Sequence, residues 1–271
     1  VTVVDHWVNA LTGKAAEAFM GQAGNEGIPE LLGGDLSAAS TVQHLLVTMD
    51  ACRVDVGVVA AGLTARETDA LLDEVAAHPD RLRVALVADR PDRPVRQCTR
   101  LRALAAHPAV ALVRVTPLVH QYPLNDKLYY PLYATCAELG LPVSVNVGIP
   151  GPRVRSACQH PGLLEDVLID FKGLTVIGAH MGHPYEALLM QYMLKWPDLY
   201  LSNSAYLARY MDTALVSFMD SSRGTGRVLF ASDHPFLSME RAVSAARDLP
   251  LSDTAAQAFL GGTAARLLGL D

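Results

Sequence analysis

Short apolar runs rich in β-branched residues recur along this chain, and longer stretches with helical spacing lie between them. The runs fall at residues 2–5, 54–60, 83–88, 110–116, 142–147, 175–179, 199–203 and 228–232. Most carry apolar residues on both faces. A strand reads that way when both of its faces are covered, as in a parallel sheet flanked by helices. Thr64-Ala65-Arg66-Glu67 has the form of a capping box ahead of Leu71, Leu72 and Val75. Leu128, Leu132 and Cys136 share a helical stripe that starts near Asp126 and stops at Gly140. Residues 162–171, 187–193, 208–219 and 254–268 supply further helices, with Pro184 placed as a first-turn proline. Eight strand–helix units predict an α/β fold, a (β/α)8 TIM barrel in a single domain over residues 1–271. An open nucleotide-binding sheet would need a glycine-rich turn after its first strand. The turn here is His6-Trp7-Val8-Asn9, with no glycine before Gly13. Residues 11–35 carry six glycines and read as an insertion over the barrel mouth.

Composition narrows the partners. Of 271 residues, 51% are hydrophobic and 18% charged, which suits a folded core rather than a disordered chain. The net charge of −6 comes without a basic block, which argues against nucleic acid as a partner. No apolar run reaches the ~18–20 residues of a membrane span. The opening Val1-Thr2-Val3-Val4-Asp5 has neither a basic start nor an apolar leader, so a cytoplasmic location is expected. Cys52, Cys98, Cys136 and Cys158 lie far apart and read as free thiols. Met190, Tyr192, Met193 and Trp196 could form a homodimer face or simply pack in the core.

In a barrel of this kind chemistry gathers at the C-terminal ends of the strands. Those ends carry His6, Arg114, Asn146, His180, Asn203 and Asp233. A lone strand-end histidine is often structural, and an aspartate there often caps a helix. Closure of the barrel changes that balance, because it brings strands one, six and eight to one rim. His6, His180 and Asp233 are therefore the expected catalytic groups. Burying two imidazoles and a carboxylate together is costly unless they pair or hold a ligand. Arg114 suits a substrate carboxylate, because its planar fork can bind two oxygens. Asn146, Arg153, His160 and Tyr206 are further candidates for substrate binding. His183, His234 and Asn9 are weaker candidates for the same centre.

Two segments resemble a known family. Val176-Ile177-Gly178-Ala179-His180-Met181-Gly182-His183-Pro184 is similar to the sixth-strand motif of the amidohydrolase-related (amidohydrolase 2) family. Val228-Leu229-Phe230-Ala231-Ser232-Asp233-His234-Pro235 resembles its eighth-strand motif, and residues 260–268 resemble its C-terminal helix. The family includes aminocarboxymuconate-semialdehyde and resorcylate decarboxylases. The resemblance implies that Asp233 is the metal-binding aspartate and His180 the catalytic histidine. It puts His6 on one first-strand ligand, Val4 on the other, and Asn146 on the fifth-strand histidine ligand. Two of the four usual ligands are then missing. A metal, if bound, would be Zn or another divalent ion held by His6, His180 and Asp233; the alternative is no cofactor at all. The family includes a metal-free precedent in lactonases acting on pyrone dicarboxylate. These readings converge on a hydrolase or carboxy-lyase acting on a small carboxylated or lactone-like compound. The competing reading is a non-catalytic binding or assembly protein that retains the pocket.

Overall fold

The structure, a computed structural model, describes residues 2–10, 21, 24–26, 41–60 and 64–270. The insertion expected at 11–35 lies outside these apart from residues 21 and 24–26.

The strands are β1 (Val4–Val8), β2 (Val56–Ala60), β3 (Leu82–Val87), β4 (Val110–Val115), β5 (Val143–Asn146), β6 (Val176–Ala179), β7 (Leu199–Ser202) and β8 (Val228–Leu229). They form one eight-stranded sheet in sequence order, with every recorded pairing parallel. The His6 N–H donates to the Phe230 carbonyl at 3.0 Å, which carries the ladder from the last strand back to the first. The chain is a (β/α)8 barrel.

Helices cover the outside: α1 (Val42–Cys52), α2 (Ala65–Asp69), α3 (Leu72–Ala76), α4 (Pro94–Leu104), α5 (Pro117–His120), α6 (Tyr130–Leu139), α7 (Leu164–Asp170), α8 (Glu186–Lys195), α9 (Thr213–Met219), α10 (Met239–Arg247), α11 (Asp253–Gln257) and α12 (Thr263–Leu268). None is long and apolar enough to cross a membrane. The Thr64 capping box is present, with both reciprocal bonds to Glu67. The segment it starts breaks at Leu71 into two short helices rather than running on as one. Pro184 precedes α8 instead of opening it: it follows a cis bond, and Tyr185 is the N-cap. The C-terminal helix is interrupted by a π-turn at Ala258–Gly262. A Cβ on Gly261 would lie 2.1 Å from the Thr2 carbonyl, so only glycine lets this turn lie against the first strand. Met193 is buried in the core, and Met190, Tyr192 and Trp196 are partly buried and pack against it. All four cysteines are free.

Side chains alternate across each strand. Val59, Val113, Val115, Val143, Val145, Leu199 and Leu201 belong to the large outer core shared with the helices. Val4, Ile177, Tyr200 and Leu229 fill an inner cluster, and Trp7 packs with Ala60, Ala179 and Ala231 in another. One large side chain among three small ones closes the barrel below and leaves room for a cavity.

Candidate functional site

A cavity of about 570 Å³ opens at the C-terminal ends of the strands. Trp7 and Asn9 from the end of β1, Arg114, Asn146, His180 and Asp233 line its inner part. Tyr206 and His183 also line it, as do Gln159 and Arg241, which come from a loop and from α10 and were not anticipated from sequence. Local strain concentrates here. Six described non-glycine residues have left-handed backbone, and four of them, His180, Met181, Ala205 and Asp233, border the cavity. Such conformations are costly for side-chain-bearing residues and persist only where the surroundings enforce them.

Asp233 is 6% exposed. Its Oδ1 accepts from Asn9 Nδ2 at 2.9 Å, and its backbone N–H donates to the Trp7 carbonyl at 2.9 Å. Burial pushes its carboxyl up to about 7, against the Asn9 hydrogen bond and the positive charge of Arg114. Arg114 is itself buried, which brings its guanidinium down to about 10, so it stays charged at neutral pH. Its Cζ lies 4.9 Å from the centroid of the Trp7 ring.

His180 is pulled down to about 4, chiefly by burial, and is neutral above that. Ser204 Oγ accepts the His180 backbone N–H at 3.0 Å and lies 2.9 Å from its Nδ1. The Ser204 hydroxyl satisfies both contacts when its own proton points at Nδ1. The imidazole then carries its proton on Nε2, the nitrogen left for the cavity.

His6 lies elsewhere. It is 1% exposed, does not line the cavity, and has Nδ1 3.2 Å from Ser202 Oγ. The register of β1 against β2 slips between Asp5 and Val8, and this irregularity turns Trp7 and Asn9 towards the cavity while His6 stays behind the lining. Burial, then the charge of His180, lowers its imidazole to about 3. Arg153 and His160 are exposed and do not line the cavity either. The Arg153 backbone N–H holds Gly24, and His160 Nδ1 caps a short helical turn by accepting from the Gly162 N–H. His183 holds Glu186 Oε1 at 2.7 Å, and His234 lies outside the lining.

The donor set does not suit a catalytic divalent metal. Such a site takes about three strong N or O donors plus water. Of the strong donors lining the cavity, His183 is engaged by Glu186, which leaves the His180 imidazole and the Asp233 carboxylate, with the amides of Asn9, Asn25, Asn146 and Gln159, the Trp7 indole and the Arg114 guanidinium beside them. No group of three or more His, Cys, Asp or Glu side chains able to hold a metal occurs among the described residues.

Asp5 was not anticipated as a buried titratable group. Its Oδ1 accepts from the Trp7 and Ser232 N–H groups at 3.2 and 2.9 Å. Burial raises its carboxyl from 3.8 to about 7. The folded-state value lies above the ordinary one, so this group adds stability that is complete below pH 3.8 and is lost as pH rises through about 7. Asp5→Asn mimics the protonated acid and should gain on the wild type by on the order of a few kcal/mol between pH 4 and pH 8. His6, His180 and His234 titrate with the opposite sign, so melting temperatures of the pair, taken at each pH, isolate Asp5. A difference that does not vary with pH would mean that Asp5 is ionised in the native protein.

The loops after β5 and β6 meet closely. Ile149 N–H donates to the His183 carbonyl at 2.8 Å. A Cβ on Gly148, whose φ is +90°, would lie 2.5 Å from the Gly182 and His183 backbone. Gly148→Ala should therefore cost roughly 2–4 kcal/mol and lower the melting temperature by several degrees. An unchanged melting temperature would show that these loops are free to separate.

The profile of the amidohydrolase family matches residues 26–270. No curated protein sequence matches the chain. Among solved structures, an uncharacterised TIM-barrel protein from Bordetella bronchiseptica aligns with a TM-score of 0.82 and 22% identity, over 100% of this chain and 99% of that one. The 5-carboxyvanillate decarboxylase of Sphingomonas paucimobilis aligns with a TM-score of 0.77 and 16% identity, over 100% and 99% of the two chains. The 5-carboxyvanillate decarboxylase of Novosphingobium aromaticivorans, complexed with manganese and a nitrobenzoic acid, aligns with a TM-score of 0.78 and 13% identity, over 99% and 96%. At these identities the likeness shows a shared fold.

Proposed function

Because this chain belongs to the amidohydrolase family, we propose that it is an enzyme that hydrolyses small carboxylated cyclic esters by acid–base chemistry without a tightly bound metal. The observation that carries this reading is the placement of Asp233, His180 and Arg114 on one cavity, with the carboxyl raised to about 7.

A base works best when its pKa lies near the working pH. Asp233 meets that condition and has a pocket in which water can approach it. Arg114 binds the substrate carboxylate and so orients the ring, and the Trp7 face beneath it limits where the guanidinium can go. Asp233 takes a proton from water as the water oxygen bonds to the ester carbonyl carbon. His180 donates a hydrogen bond from Nε2 to the carbonyl oxygen as negative charge develops there. The ring C–O bond then breaks, and the leaving oxygen takes the proton back from Asp233. The product is an open-chain hydroxy acid.

Decarboxylation is the second reading, and the fold shared with two decarboxylases favours it. A panel of carboxylated lactones, aryl esters and aryl carboxylates separates the two. Ring opening without CO₂ release supports the proposal; CO₂ release from an aryl carboxylate with no lactone turnover would replace it by the second reading.

A further inference from the structure

Trp7 touches every group invoked above, by a different contact each time. Its ring face lies 4.9 Å from the Arg114 Cζ. Its ring meets the His180 imidazole edge-on, with centroids 4.9 Å apart and planes at 60°. Its carbonyl accepts the Asp233 N–H at 2.9 Å, and its own N–H donates to Asp5 at 3.2 Å. Ala60 on β2, Ala179 on β6 and Ala231, just after β8, surround the indole, so the barrel interior is shaped to receive a large side chain at this point. Filling that space explains a bulky apolar residue. It does not explain an aromatic face beneath a buried guanidinium.

We propose that Trp7 is the positioning residue of this site, setting Arg114 and His180 in place relative to Asp233; the proposal rests on the carboxylate-binding reading above. Arginine has a long, rotamer-rich side chain, and a charged group fixed on an indole face loses fewer arrangements when it binds an anion. Indole is the strongest of the aromatic faces for a cation. The edge contact holds the imidazole in addition to the Ser204 contact with Nδ1. A leucine at position 7 would still occupy much of the space and would offer no such face. A phenylalanine would offer one of smaller area.

The test uses the full chain and benzoate as the probe. The sequence has two tryptophans, and Trp196 caps the end of α8 away from the cavity, so Trp196→Phe leaves Trp7 as the sole indole emitter. In that background Arg114→Gln and His180→Gln should each shift the emission of Trp7. Benzoate affinity should fall about tenfold in Trp7→Leu and by less than about threefold in Trp7→Phe. Once Arg114→Gln is present, Trp7→Leu should cost little more, because the two substitutions remove one shared interaction. With a substrate that turns over, Trp7→Leu should also lower kcat, because His180 loses its neighbour. A folded Trp7→Leu protein that binds benzoate as the wild type does, or whose loss adds in full to that of Arg114→Gln, overturns the proposal. Should Trp7→Leu not fold, a loss above tenfold in Trp7→Phe overturns it and retained affinity supports it. If the wild type binds no benzoate, the carboxylate reading fails separately. Emission then decides the contacts of Trp7: a response to both substitutions supports them, and indifference to both rejects them.

Discussion

Asp233→Asn is expected to lower kcat/KM by a factor on the order of 10³ while the protein stays folded. A positioned general base contributes about 10²–10⁴ to such a step, and an amide cannot take the proton from water. The fold should tolerate the change because asparagine keeps the oxygen that accepts from Asn9 Nδ2. The carboxyl it replaces is raised to about 7, so near neutral pH the native site already holds the protonated form part of the time. In the wild type, kcat/KM should rise with pH through about 7 as Asp233 ionises. The His180 imidazole, pulled down to about 4, stays neutral over that range and adds no second limb near neutrality. A variant with wild-type activity, or a profile flat between pH 5 and pH 9, would place the base elsewhere.

Arg114→Gln should raise KM for a carboxylated substrate by roughly 10²-fold, with a smaller effect on an uncharged analogue. Charge-assisted bonds to a carboxylate contribute about 1.5–3 kcal/mol when made inside a protein, and a neutral amide supplies a fraction of that. A second effect distinguishes this variant from a simple loss of binding. The charge of Arg114 holds the Asp233 carboxyl down against its burial. Without it the carboxyl should titrate higher, and the rising limb of kcat/KM should move to higher pH. Equal losses on charged and uncharged substrates, with the limb unmoved, would mean that Arg114 only supports the cavity wall.

The barrel was legible in the sequence because its cause is periodic. Parallel strands covered on both faces carry apolar residues on both, and the runs around Val58, Leu86, Val113, Ile177 and Leu201 have that character. Boundaries were less legible. β8 has only two residues in the ladder, although the apolar run continues to Ser232, because the backbone beyond Leu229 bonds to Asn203 Oδ1, Asp5 Oδ1 and Trp7 instead. His180 and Asp233 could be placed from sequence because each directly follows one of the predicted strand runs, residues 175–179 and 228–232. His6 could not, because placing it meant counting alternate residues along β1. The slip between Asp5 and Val8 shifts that count by one and substitutes Trp7 and Asn9. Nothing in a pattern of apolar residues marks such a slip. Gln159 and Arg241 reach the cavity from a loop and a helix, where strand periodicity carries no information. Arg153 looked well placed after β5, but the loop Gly148-Ile149-Pro150-Gly151-Pro152 turns its side chain position away from the lining.

Hydrolysis of a carboxylated lactone by protein dialysed against a strong chelator tests the acid–base site most directly. The account predicts that kcat/KM is unchanged by chelation or by added manganese or zinc, and that it rises through about pH 7. Activity that disappears on chelation and returns with stoichiometric manganese would contradict it, since Asp233 and His180 would then serve as ligands rather than as base and hydrogen-bond donor.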